Sequence, residues 1–216
     1  MSIKIDLRIF LFAILFFLTK QIKLYAILMI FALIHELGHL ICGLILGLKP
    51  SSIKINPFGF QLTFKEYIQD YNYKIKKGNK LCLKRLIIAI AGPLTNILIA
   101  FALVFIPFNQ TEKETLIYAN ILLAIFNLIP IYPLDGGRIL KEIINIKKGR
   151  KNSYKAINTI SFATVIILTI LTSIAILFIH NISLIIILAY LWYLTIKNHK
   201  IYKFKTRIYE NTCFLS

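Results

Sequence analysis

Apolar residues fall into six stretches, about 7–20, 22–48, 84–107, 115–131, 156–179 and 182–196, separated by polar segments. The longer ones suffice for a helical passage through hydrocarbon, which takes about 20 residues at 1.5 Å each. The first stretch is short and preceded by Lys4 and Arg8, as a signal peptide would be. No small-residue cleavage site follows it and the second stretch begins at once, so it reads as a short first transmembrane helix. In the second, Gly43 and Gly47 have the small-residue spacing that permits close helix approach.

Between 49 and 83 the pattern changes. Ile53, Ile55, Phe60, Leu62 and Phe64 alternate with Lys54, Gln61 and Thr63 around Pro57-Phe58-Gly59, a period of two that predicts a β-hairpin. Two helical stretches are interrupted. Ala91-Gly92-Pro93 loosens the hydrogen-bond ladder of the third, and Asn96 reads as an internal partner for the groups so freed. Pro130, Pro133, Gly136 and Gly137 break the end of the fourth, leaving Asp135 on irregular backbone. Such backbone is tolerated at membrane depth only where it lines a cavity or is buried in protein. The predicted fold is an all-α integral membrane protein of six transmembrane helices. A short membrane-associated β-hairpin follows helix 2, and residues 1–216 form a single membrane-embedded domain with no separate soluble one.

Composition agrees: 58% of the 216 residues are hydrophobic and the mean hydropathy is +0.74. A net charge of +17 would fit a nucleic-acid binder, but the basic residues lie in the segments between apolar stretches. With the N-terminus inside, 23 of the 26 Lys/Arg share one side, and only Lys20, Lys23 and Lys113 fall opposite. The positive-inside bias therefore predicts a multi-pass protein of the cell membrane with both termini cytoplasmic, and no nucleic-acid partner. Three scattered cysteines without a C-x-x-C indicate neither a disulfide framework nor a thiolate metal site.

The charges that remain inside the apolar stretches are few, and one group carries chemistry. His35-Glu36-Leu37-Gly38-His39 lies in the second stretch, where no Lys, Arg or Asp occurs between Lys23 and Lys49. Histidines at i and i+4 of a helix are about 40° apart, so both imidazoles can reach one metal ion. Glu36 can then face a metal-bound water as general base, the arrangement of a zinc hydrolase. Ionisable groups at membrane depth are costly, which marks a functional site. A third ligand is still required. Of three aspartates, Asp6 and Asp70 lie in polar flanks, whereas Asp135 ends an apolar stretch on the side to which the second one runs. Taken alone Asp135 reads as a turn residue, and beside the histidine pair it becomes the leading ligand candidate. Glu142 is the weaker one, and His180 and His199 lie on the opposite side and in the basic tail.

The HELGH helix, Ala-Gly-Pro-x-x-Asn96 in the third stretch and Asn127-x-x-Pro-x-x-Pro-x-Asp135-Gly resemble the site-2 protease family of intramembrane zinc metalloproteases, peptidase family M50. The resemblance spans about residues 7–196. It implies one zinc ion per chain on His35, His39 and Asp135, with Glu36 activating water and Asn127 positioning substrate or steadying the oxyanion. It also implies substrate contacts at the hairpin residues Pro57, Phe58, Gly59 and Phe60, and at Pro133, with the hairpin adding a substrate strand to its edge. The layout is most similar to the sporulation branch, in which the substrate is a membrane-tethered pro-sigma factor and inhibitory membrane partners occur. That branch carries a C-terminal CBS domain, which is not expected here. The alternative is a non-proteolytic metal-binding membrane protein or ion transporter using the same three ligands, for which Glu36 would be dispensable.

Overall fold

The computed structural model describes residues 2–5, 17, 20, 22–56, 59–64, 75–107, 109–179 and 183–213. The chain divides into two compact units, Met1–Asn127 and Leu128–Ser216.

Among its described residues the first unit holds, in order, β1 (Ser2–Ile5), α1 (Ile22–Ile45), β2 (Pro50–Asn56), β3 (Gly59–Phe64), α2 (Ile75–Phe105) and α3 (Gln110–Leu128). β2 and β3 pair antiparallel, with Ile53 opposite Leu62 and Ile55 opposite Phe60. β1 pairs parallel with β2, leaving β3 at an edge. The strand at 2–5 was not expected, since four residues carry no legible periodicity and their pairing is long-range. Pro57 and Phe58 lie outside the described residues.

The helices are apolar on the outside and polar within. Along α1, Ile30, Leu33, Leu37, Ile41 and Leu44 are exposed, whereas Ala32, His35, His39 and Gly43 are buried. Both sets repeat at three- and four-residue intervals, so each occupies one face. Phe31, Leu103 and Ala119 form the core of this unit, one from each helix. Gly38 gives the close approach of α1 to α2, because a Cβ there would collide with the Thr95 side chain. Gly43 and Gly47 have other roles. Gly43 seats the Phe64 ring of β3, and Gly47 ends the helix at φ +77°. Leu48 N–H donates to Gly43 O and Gly47 N–H to Leu44 O, both at 2.9 Å, a Schellman cap. Lys84 Nζ then donates to Leu46 O at 2.6 Å, tying the end of α1 to α2.

The second unit contains α4 (Asp135–Ile179) and α5 (Ser183–Cys213). α4 is two helices joined at Gly149, where φ is 79° and ψ is 168°. One expectation is corrected here. Asp135 opens a helix, and the irregular backbone lies just before it. The basic segment 138–155 is helical on both sides of Gly149, and the basic tail continues α5 to Cys213. Charge patterning reports the side of the membrane, and Lys, Arg and Asn in such segments do not forbid helix.

Three described helices are long and apolar enough to cross a membrane: Ile22–Ile45, Asn79–Phe105 and Asn152–Leu177. They answer to the second, third and fifth predicted spans. The fourth, 115–131, overlaps α3 but overruns its end at Leu128, the sixth, 182–196, overlaps α5, and the first, 7–20, lies almost wholly outside the described residues.

Because lipid is as apolar as a leucine side chain, a core truncation here loses mainly cavity energy rather than transfer energy. Phe31→Ala is expected to cost roughly 2 kcal/mol, by the cost per cavity volume. Leu33→Ala, on the outward face, should stay within about 0.5 kcal/mol. Thermal unfolding of the two variants in detergent micelles compares them directly.

Candidate metal centre

The histidine pair is built by α1 and oriented by α2. His35 and His39 are 4% and 2% exposed. Their rings stand edge to face with centroids 4.8 Å apart, and their Nε2 atoms converge to 3.2 Å. Two imidazole nitrogens at that separation need a shared proton or a cation between them. The tautomer of His39 follows from its other nitrogen. Nδ1 lies 2.6 Å from the Ile88 carbonyl, which can only accept, so Nδ1 carries the hydrogen and Nε2 presents a lone pair. A carbonyl behind a ligating imidazole fixes ring orientation and raises ligand basicity.

Gly92 makes room for this arrangement. A Cβ at that position would collide with Nε2 of both His35 and His39. The Gly-Pro of the third span thus brings bare backbone against the imidazoles. α2 runs through Pro93 without ending, and Thr95 Oγ1 donates to Ala91 O at 2.8 Å within the same stretch. Glu36 is half-buried. As the next residue along, it projects about 100° round the helix from His35.

In the second unit Asp135 is 4% exposed at the N-terminus of α4, where unpaired backbone N–H groups favour a carboxylate. Arg138 Nη1 lies 3.5 Å from Asp135 Oδ1. The two glycines that follow allow the first turn of α4 to lie directly on the preceding loop. A Cβ on Gly136 would strike the backbone of Leu128 and Ile129, and one on Gly137 that of Ile131 and Tyr132.

His35 and His39 offer two converging imidazole donors in the first unit, and Asp135 a buried carboxylate in the second. Two imidazoles and one carboxylate are donor types that fit zinc with a fourth position open. Glu142 is buried beside Lys141 at 4.0 Å and accepts from Asn145 Nδ2 at 3.4 Å. His199 lies 3.2 Å from Asn158 Oδ1 and edge-on to Phe162, and His180 is outside the described residues. Cys42 and Cys82 carry free thiols. Asn127 is half-buried, and one hydrogen of its amide goes to Leu123 O at 3.0 Å, leaving the second for another acceptor. Pro133 is half-buried in the loop before Asp135; Gly59 and Phe60 belong to β3. The parts that motif reading missed are the Ile88 carbonyl and the clearance role of Gly92. Only the missing Cβ of Gly92 leaves a trace in the letters.

Comparison with known proteins agrees with this geometry. The model of peptidase family M50 matches residues 23–114 and 112–171. Stage IV sporulation protein FB of Bacillus subtilis is 30% identical over 127 residues, covering 57% of this chain and 41% of that protein. A zinc metalloprotease of Methanocaldococcus jannaschii is 34% identical over 139 residues, covering 61% of this chain and 37% of that protein. The chain thus matches about two fifths of the length of these curated relatives. The solved site-2 protease from Methanocaldococcus jannaschii superposes with a TM-score of 0.68 at 26% identity, covering 91% of this chain and 89% of that one. Motifs, mostly helical fold and matched residues converge, and the chain belongs to peptidase family M50.

Proposed function

We propose that the protein is an intramembrane zinc metalloprotease that hydrolyses a peptide bond of a membrane-associated protein near the cytoplasmic face. The observation that carries this reading is the buried pair His35 and His39 with converging Nε2 atoms, in a chain of peptidase family M50, and Asp135 is the proposed third ligand. Those residues would hold one zinc ion, which when bound polarises a carbonyl and makes water a nucleophile near neutral pH. Glu36 takes the proton of the attacking water and delivers it to the departing amide nitrogen. The Ile88 carbonyl keeps His39 in the tautomer that offers Nε2. The second amide hydrogen of Asn127 is available to the carbonyl oxygen as it gains charge. The edge strand β3 can receive an extended substrate segment through its backbone, with Pro57, Phe58, Gly59 and Phe60 at the turn end and Pro133 on the loop before Asp135. Extension matters because a helical segment hides its peptide bonds in its own ladder.

The same reading gives six passages with both termini cytoplasmic, supported by the one-sided distribution of Lys and Arg. A membrane-tethered pro-sigma factor as substrate, with inhibitory membrane partners, is supported by the 30% identity to stage IV sporulation protein FB.

Three outcomes test the proposal. Glu36→Gln should lower cleavage of a co-expressed membrane-tethered substrate by about 10²–10⁴, the usual contribution of a general base. Zinc per chain and membrane insertion should stay unchanged. Were the protein an ion transporter, the same variant would spare metal flux into vesicles and no cleavage would depend on Glu36. Gly92→Val should leave the protein inserted while reducing zinc per chain, read by elemental analysis, because its side chain enters the space of both imidazoles. A strong chelator should abolish cleavage, and zinc should restore it.

A further inference from the structure

Asp135 depends on a loop that owes its shape to side chains from elsewhere in its unit. Tyr132, three residues before Asp135, is gripped at both backbone polar atoms. Its N–H donates to Ser161 Oγ at 3.2 Å, and its carbonyl accepts from Asn198 Nδ2. Its ring also lies 5.1 Å from Lys141 Nζ. Ser161 stands on α4 beyond Gly149, and Asn198 stands on α5. Tyr132 itself rests on the first turn of α4, since a Cβ on Gly137 would meet its nitrogen. Backbone groups of a buried loop must find partners. Here two side chains from separate helices supply them, one for each of the two peptides that flank Tyr132, so neither peptide can rotate without breaking its bond.

We infer that Asn198 and Ser161 are positioning residues that hold the Tyr132 peptide and, through it, the carboxylate of Asp135 in place for the metal. The inference rests on the reading of Asp135 as a metal ligand. It makes α5 more than a lipid-facing cover: a small rotation of α5 withdraws the Asn198 donor from the loop that carries the ligand. A different bond between α4 and α5, from Trp192 Nε1 to Thr169 Oγ1 at 3.1 Å, joins the helices about two turns from Ser161. It provides the control.

The test uses the full chain purified in detergent and loaded with cobalt in place of zinc. Asn198→Asp, which has the same shape but turns an oxygen to the carbonyl, and Ser161→Ala should each change the visible cobalt band. Both should speed metal release to a chelator by about 10–100-fold, the range for partners that orient metal ligands. Cleavage should lose kcat while KM stays within about twofold. Trp192→Phe should lower thermal stability yet keep the wild-type band and release rate. Wild-type band and release rate in both Asn198→Asp and Ser161→Ala would overturn the inference. Asp135→Asn separates the two claims. An unchanged band in that variant overturns the ligand reading, whereas a changed band beside unchanged Asn198 and Ser161 variants overturns only the positioning role.

Discussion

The hydrogen bond from His39 Nδ1 to the Ile88 carbonyl is the interaction on which the first unit depends. At 2.6 Å it joins the helix that carries both histidines to the helix that carries Gly92. It sets the ring, the tautomer and the local spacing of α1 against α2 together. The spacing could not be so small without glycines at the crossing. Gly38 lies under Thr95, and Gly92 lies under the two imidazoles. In lipid no hydrophobic drive draws helices together, so small residues and interhelical polar contacts must do it. The same residues that bring the helices together also orient the two imidazoles.

The second unit meets a related constraint by different means. Asp135 sits at a helix start, where backbone N–H groups and Arg138 favour a carboxylate despite its burial. The loop leading to it has no ladder of its own, and Ser161 and Asn198 supply the partners at Tyr132. A histidine held by a carbonyl and an aspartate that follows a pinned loop are two ways of making a buried polar side chain rigid.

The legible part of this structure is the part written in side-chain types. His35, Glu36 and His39 stand out in the sequence because metal chemistry would constrain both identity and spacing, and Asp135 because acidic residues are so scarce in the apolar stretches. The alternation of Ile53 and Ile55, and of Phe60, Leu62 and Phe64, announced paired strands. Contacts made by backbone were illegible. The Ile88 carbonyl has no letter, and Gly92 could be read only as a loosened helix, not as clearance for two rings. The β1 pairing is a long-range event from four residues. The helical continuations past 138 and 197 were hidden because a run of lysines marks the membrane boundary without saying whether the helix stops there.

The outward faces complete the physical picture. On α2, Leu94, Ile97, Leu98, Phe101 and Phe105 are exposed, while Asn96 and Ala100 on the opposite face are buried. In water such a helix would be inverted, with its worst surface outside. In hydrocarbon the arrangement is the favourable one, because it keeps the polar side chain away from lipid. Polar residues confined to the inner faces make a local environment that hydrocarbon cannot provide, and the apolar faces hold that environment inside the bilayer.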